Sequence, residues 1–295
     1  MKALVDADLF CYSFGNMEEL ESGGLLPWEI TRSLVDANIN SILSATKADT
    51  HQLYLTDSPS NFRLEVATIL PYKGGRPSEK PPHHAAIRQH LIDNWNAKVV
   101  YGMEADDALG IAQCYDNRDL VLSEADAGNT VICSRDKDLA MIPGHHYSWE
   151  CGKQPERKWF VTETEGLRSF YKQLLTGDKS VDNILGLFGV GAKSVCVKRI
   201  DTYETELEMF TECWLRYEER FGSYAWQFLV ENAQLLWMLR CDPAVPVYAD
   251  TIDRADVARI EVLVRLEELY DEYKENLDCE ARSDAAEVPN AGSKE

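Results

Sequence analysis

Long apolar runs are missing from this 295-residue chain. No stretch approaches the roughly 18 uncharged apolar residues that a membrane-crossing helix needs. Behind Met1-Lys2-Ala3-Leu4-Val5-Asp6 there is no apolar core of signal-peptide length, so neither membrane insertion nor export is expected and a cytoplasmic location is. The 8 cysteines lie far apart without a Cys-x-x-Cys pair, which argues against a zinc site or a disulfide framework and leaves reduced, mostly buried thiols. Positive charge is also scarce: 30 Lys and Arg stand against 50 Asp and Glu, a net charge of −20. That excludes a broadly basic nucleic-acid-binding surface, because phosphate contacts rest on Lys and Arg. The local balance is different between residues 63 and 88, where Arg63, Lys73, Arg76, Lys80 and Arg88 face only Glu65 and Glu79. A second basic cluster is Lys193, Lys198 and Arg199. No internal repeat is present.

With 45% hydrophobic residues the chain can bury a full core. Strand patterns at Ala3–Asp8, Leu53–Asp57, Lys98–Tyr101 and Thr130–Ser134 alternate with helical spacing at Trp28–Thr46, Ala85–Trp95 and Ala105–Tyr115. Such alternation predicts an α/β fold with a mostly parallel central sheet flanked by helices. The segment from Pro59 to Pro82, rich in Pro, Gly and basic residues, reads as a mobile connection. An edge hairpin is expected around His145–Val161. Helices follow at Glu163–Leu175, Val195–Ile200, Glu204–Tyr217, Tyr224–Leu239 and Arg254–Leu277. This divides the chain into an α/β core over 1–161, a helical subdomain over 162–277, and a disordered acidic tail over 278–295.

Acidic residues recur where the four apolar runs end: Asp6 and Asp8, Asp57, Glu104 with Asp106 and Asp107, and Asp136 with Asp138. Strand ends are where α/β proteins build their sites. If these ends are neighbours, the carboxylates crowd one edge, and two unit charges about 4 Å apart repel by about 4 kcal/mol at an effective dielectric near 20. Cations relieve that repulsion, and oxygen ligands without His or Cys select Mg²⁺ or Mn²⁺. Each acid has a plainer explanation. An Asp at a strand end caps a turn, and acids at the start of a helix suit its free N–H groups and dipole. Capping does not require three acids in four positions, however.

Two loops add to the pattern. Tyr72-Lys73-Gly74-Gly75-Arg76 joins an aromatic ring, two cations and a flexible Gly pair, so it can stack on a base and reach a phosphate, or simply be a solvated basic loop. Gly177-Asp178-Lys-Ser-Val-Asp182-Asn183, followed by Gly186-Leu-Phe-Gly189-Val-Gly191-Ala-Lys193, places two acids beside a Gly-x-Gly turn ahead of a helix, an arrangement able to bind phosphate through backbone N–H groups. His83-His84 is assigned no role.

Taken in order from Lys2 to about Lys198, these pieces resemble the 5′ nuclease family: bacteriophage 5′→3′ exonucleases, flap endonucleases and the 5′ nuclease domain of bacterial DNA polymerase I. The resemblance implies a PIN-like 5′ nuclease fold with a helical arch near 59–96 and a helix-hairpin-helix element in the C-terminal helical subdomain. It implies a first metal site from Asp6, Asp57, Glu104, Asp106 and Asp107, and a second from Asp136, Asp138, Asp178 and Asp182. Asp8 falls where the family's side chain varies and is not carried over. Lys73 and Arg76 would act on the scissile phosphate at the base of the arch, Tyr72 would stack on an unpaired base, and Arg63 would contact DNA. Gly189, Gly191 and Lys193 would grip duplex DNA, where the family often binds K⁺. Asp178 and Asp182 are four apart, one more than the family usually has.

The activity implied is Mg²⁺-dependent 5′→3′ exonuclease or 5′ flap endonuclease hydrolysis with two ions, Mn²⁺ substituting. The partners implied are DNA with 5′ ends or flaps, RNA:DNA hybrids and replication proteins, bound by a monomer. A PIN-like ribonuclease shares the acidic strand ends but lacks the hairpin. A noncatalytic structure-specific DNA-binding protein would not need the full set of acids.

Overall fold

Alternation along the first strand sends its side chains to two different cores. In β1 (Lys2–Asp6) Ala3 and Val5 point to one face and Leu4 to the other, all three fully buried. The computed structural model describes residues 1–19, 23–75, 79–117, 128–240 and 254–286. After β1 come α1 (Asp8–Ser13), α2 (Trp28–Thr46), β2 (Thr50–Asn61), α3 (Phe62–Val66), α4 (His84–Trp95), β3 (Lys98–Gly102) and α5 (Ala105–Asn117). Then follow β4 (Thr130–Cys133), β5 (Gly144–Ser148), β6 (Arg157–Val161), α6 (Glu163–Thr176), α7 (Val195–Arg199), α8 (Glu206–Phe221), α9 (Ala225–Leu236) and α10 (Arg254–Ala286).

The six strands form one sheet in the order β3-β2-β1-β4-β5-β6. All pairings are parallel except β5 with β6, which make the antiparallel edge hairpin. α1, α2 and α4 cover the Ala3 and Val5 face through Phe10, Val35, Ile39, Ile42, Ile87 and Leu91. On the Leu4 face, Leu109 of α5 and Ile132 of β4 join Phe170 and Leu174 of α6, Phe210 of α8, Leu229 of α9 and Leu266 of α10 in a single core. Each such residue contributes about 1.5–3 kcal/mol on burial, so the helical half is welded to the sheet. Capping boxes start two of its helices, Thr162 with Glu165 for α6 and Thr205 with Glu208 for α8. No helix among the described residues is long and apolar enough to cross a membrane.

Three expectations differ from the structure. Among the described residues, 59–96 holds no freestanding arch helix: α3 is five residues long, and α4 lies on the sheet with Ile87 and Leu91 fully buried. The apolar spacing of Ala85–Trp95 is the spacing of a helix that needs a core, which is why it packs down. α9 stops at Leu236, short of Leu239, because the carbonyls of Leu235 and Trp237 turn to accept from Arg63. α10 runs on to Ala286 rather than ending at Leu277; residues 278–286 contain neither Gly nor Pro, and the first breaker is Pro289. The rest of the expected tail, 287–295, lies outside the described residues.

Candidate active site

Because β1, β2 and β4 are parallel neighbours, their C-terminal ends open on one edge of the sheet. The turns leaving them are held by their own polar side chains. Ser134 Oγ donates to Asp6 Oδ2 at 2.8 Å and accepts from Asp136 N at 3.0 Å, while Asp136 Oδ1 accepts from Asp138 N at 2.8 Å. Thr56 N donates to Asp8 Oδ2 at 3.0 Å, and Thr56 Oγ1 accepts from Ala105 N at 2.9 Å, which ties the start of α5 to the end of β2. The result is a cleft of about 370 Å³ whose lining includes Asp6, Asp8, Glu104, Asp106 and Asp136 together with Tyr72 and Lys73.

Burial and like charge set the electrostatics of this edge. Burial, then Asp8, pushes the Asp6 carboxyl up to about 7 against the opposing hydrogen bond from Ser134. Burial, then Asp6 and Asp136, drives Asp106 well above the ordinary carboxyl value. Asp106 Oδ1 is buried and has no hydrogen-bond partner. Burial and Asp136 raise Asp138 to about 6. Glu104 goes the other way: burial alone would raise it, but Lys73 and Arg63 outweigh burial and hold its carboxyl below the usual range.

An orphaned carboxylate oxygen among mutually repelling oxygen donors fits a hard divalent cation. Among the described residues, no three His, Cys, Asp or Glu side chains already enclose an ion-sized position. Lysines instead stand among the acids. Lys73 Nζ bonds Glu104 and lies 3.9 Å from Asp182, and Lys137 Nζ lies 3.3 Å from Asp178 and 3.8 Å from Asp138.

The sequence matches no protein-family model and no curated protein. Among solved structures, the D15 protein of bacteriophage T5 co-crystallised with metal ions aligns with a TM-score of 0.57 at 17% identity, over 89% of this chain and 98% of that one. The T5 D15 flap endonuclease in complex with DNA and metal ions aligns at 0.56 and 18%, over 90% and 99%. A variant of the T5 5′-exonuclease aligns at 0.54 and 16%, over 90% and 98%. This chain has the T5 5′ nuclease fold.

Within that fold the expected site residues separate into those that meet at the cleft and those committed elsewhere. Asp6, Glu104, Asp106 and Asp136 line it. Asp182 adjoins it through Lys73 and through Tyr72 Oη at 3.4 Å. Asp138 and Asp178 meet at Lys137; Gln173 also donates to Asp138, and Asp178 Oδ1 accepts from Val181 N at 3.1 Å. Asp57 does not line the cleft and has partners of its own, since alternation along β2 turns it away from the side that Thr56 takes.

Asp107 and Arg63 require correction. Both are fully buried, and Asp107 accepts from Arg63 Nη1 and Nη2, from Glu104 N at 3.0 Å and from Leu239 N at 3.2 Å, so the carboxylate has no capacity left for an ion. Arg63 cannot touch DNA from there. Tyr72 is also no stacking platform: it is 6% exposed, with Lys73 Nζ 4.9 Å from its ring centre and its hydroxyl donating to Glu104 at 3.0 Å. Its work is to orient Glu104. Arg76 lies outside the described residues. Asp8, expected at this edge from its spacing to Asp6 but not carried over by the resemblance, lines the cleft, as does Arg88.

The loop from Gly177 to Ser194 joins α6 to the short α7. Gly177 and Gly186, at φ of 69° and 55°, meet backbone to backbone, and a Cβ on either would overlap the other strand of the loop. Gly189 has φ of 81°, and Gly191 N donates to Ser194 Oγ at 3.0 Å, so that N–H is not available to a phosphate. Lys193 is exposed. At the tip, Phe188 is 80% exposed, with Lys179 Nζ and Arg220 Cζ at 6.0 and 5.7 Å from its ring centre.

Proposed function

We propose that this chain is a divalent-metal-dependent 5′ nuclease that hydrolyses phosphodiesters in DNA. The carrying observation is Asp106: a carboxylate oxygen buried without a partner, facing Asp6 and Asp136 at the C-terminal edge of a parallel sheet. The T5 structures of the same fold, one crystallised with metal ions and one with DNA and metal ions, support the reading. Asp6, Glu104, Asp106 and Asp136 would hold one Mg²⁺ or Mn²⁺, and Asp138, Asp178 and Asp182 would serve a second. When bound, such ions polarise the phosphate, lower the pKa of water and stabilise the leaving oxygen.

The remaining work falls to this chain's own side chains. Lys73, held at φ of 54° with its N–H on Asp182 O at 2.9 Å, presents Nζ over the cleft, where it can exchange Glu104 for a phosphate oxygen and offset charge gathering there. Tyr72 keeps Glu104 in place during that exchange. Ser134 orients Asp6. The 177–194 loop, with Gly189, Lys193 and the exposed Phe188, would grip the DNA, with K⁺ at its turn. The proposal extends to a role in replication, including removal of RNA primers from hybrids, which present the same phosphodiester to the site.

The test is Mg²⁺-dependent digestion of 5′-overhang and 5′-flapped DNA beside an RNA:DNA hybrid and single-stranded RNA. Asp106→Ala and Asp136→Ala are expected to abolish cleavage while DNA binding survives. Full Mg²⁺-dependent rates in both variants would remove the site from the chemistry, and cleavage of single-stranded RNA alone would favour a PIN-like ribonuclease.

A further inference from the structure

The cleft has two unlike walls. Facing the acids are Lys80, His84 and Arg88, with Tyr12 beside them. His84 and Arg88 sit four apart on α4 and so share a helix face. Arg88 Nη1 lies 3.8 Å from Asp8 Oδ1, which places the cationic wall directly against the acidic one. The Tyr12 ring meets His84 edge-on, with centroids 5.1 Å apart, and Tyr12 is 55% exposed where it lines the cleft. Burial, then Lys80 and Arg88, holds the His84 imidazole below its ordinary value beside two permanent cations.

In a chain of net charge −20, two cations, an imidazole and an aromatic face gathered on one side of a cleft need an anionic, flat partner. At about 370 Å³ the cleft is at the low end of the roughly 300–1,000 Å³ of small-ligand sites, room for one nucleotide and not for a duplex. We propose that this wall is a pocket for the 5′-terminal nucleotide of a strand, with Lys80, His84 and Arg88 on its terminal phosphate and Tyr12 stacked on its base. The inference rests on the 5′ nuclease reading and makes it more specific: the preferred substrate is a 5′-phosphorylated end, consumed one nucleotide at a time.

The geometry and the chemistry agree. With the terminal phosphate on the cations, the first internal phosphodiester falls on the acidic side. There a water oxygen bonds to phosphorus as the P–O3′ bond breaks; one water proton passes to the departing O3′ and the other leaves the new 5′-phosphate for solvent. The products are a 5′-mononucleotide and a shortened strand carrying a new 5′-phosphate. Each cut therefore regenerates the end that the pocket recognises. A terminal phosphate carries about −1.5 to −2 charges at pH 7, and Arg and Lys bind such groups through charge-assisted hydrogen bonds.

The experiment measures binding of one 5′-overhang DNA, with a 5′-phosphate or a 5′-hydroxyl, by fluorescence anisotropy in EDTA. The full chain is expected to bind the phosphorylated end about tenfold tighter, the scale of a charge-assisted hydrogen bond. Lys80→Ala, at an exposed position, and Arg88→Gln should each shrink that ratio toward one, whereas Tyr12→Ala should weaken both ends and leave the ratio intact. An acidic cleft alone would disfavour the extra charge, so equal or inverted affinities overturn the inference. A parallel digestion in Mg²⁺ separates the two readings. Cleavage without end preference defeats the terminal pocket and leaves the nuclease standing; end preference in binding without any cleavage defeats the nuclease and leaves the pocket.

Discussion

Arg63 holds Asp107 through two parallel N–H···O bonds of 2.6 and 2.8 Å, and neither side chain reaches solvent. The same guanidinium donates to Leu235 O and Trp237 O, so one ion pair fastens α3, α5 and the end of α9 together.

Removing one partner leaves a buried charge alone. Asp107→Asn is expected to cost about 3–5 kcal/mol of stability, read in chemical denaturation, with Mg²⁺ binding unchanged at temperatures where the variant is folded. Lost Mg²⁺ affinity with normal stability would instead make Asp107 a ligand. The double variant Arg63→Met/Asp107→Leu should lose less than the two single changes summed, yet not recover fully, because the backbone groups both side chains serve stay unpaired.

The raised carboxyls predict a pH dependence of the metal-free protein. Asp6 at about 7 and Asp138 at about 6 bind protons more tightly when folded than at their ordinary 3.8, so the folded state carries the extra protons and stability falls as pH rises through about 4 to 7. Glu104, with its depressed value, acts in the opposite sense and loses its contribution below its ordinary 4.5. Between pH 5 and 8 in EDTA the melting temperature should therefore decline. Asp6→Asn or added Mg²⁺ should flatten the slope; an unchanged slope in both would show that the acids on this edge are not the cause.

Phe188 is too exposed to matter for folding, so Phe188→Ala should leave the melting temperature in place. If the 177–194 loop meets DNA, the same change weakens binding of an overhang duplex by about 1–3 kcal/mol, the range for an aromatic contact to a base. Anisotropy titrations at fixed salt decide it, and equal affinities would remove the tip from the interface.

Much of the architecture was legible in the sequence because it is local. Trp28–Thr46 reads as a helix by spacing and is one, and the acids at the ends of the β1 and β4 patterns share an edge because alternating strands and helices enforce parallel neighbours. What was not legible depends on partners distant in the chain. Arg63 and Asp107 each look like exposed functional charges until α9 ends and offers its carbonyls. Tyr72 reads as a stacking ring from its neighbours Lys73 and Gly74, whereas Glu104 and Asp182 draw its hydroxyl inward. Lys80 and Arg88 show in the sequence as part of a basic stretch, but their meeting with Tyr12 depends on the packing of α1 against α4, which the Asp8–Arg88 pair spans.

The meeting of Gly177 with Gly186 has an evolutionary corollary. Neither position takes a side chain without backbone overlap, so their contact fixes how the loop closes, and Asp178 and Asp182 lie on the segment it encloses. Lys179, Leu185 and Phe188 are exposed at the rim, so side chains can change there without disturbing the closed contact that carries the acids.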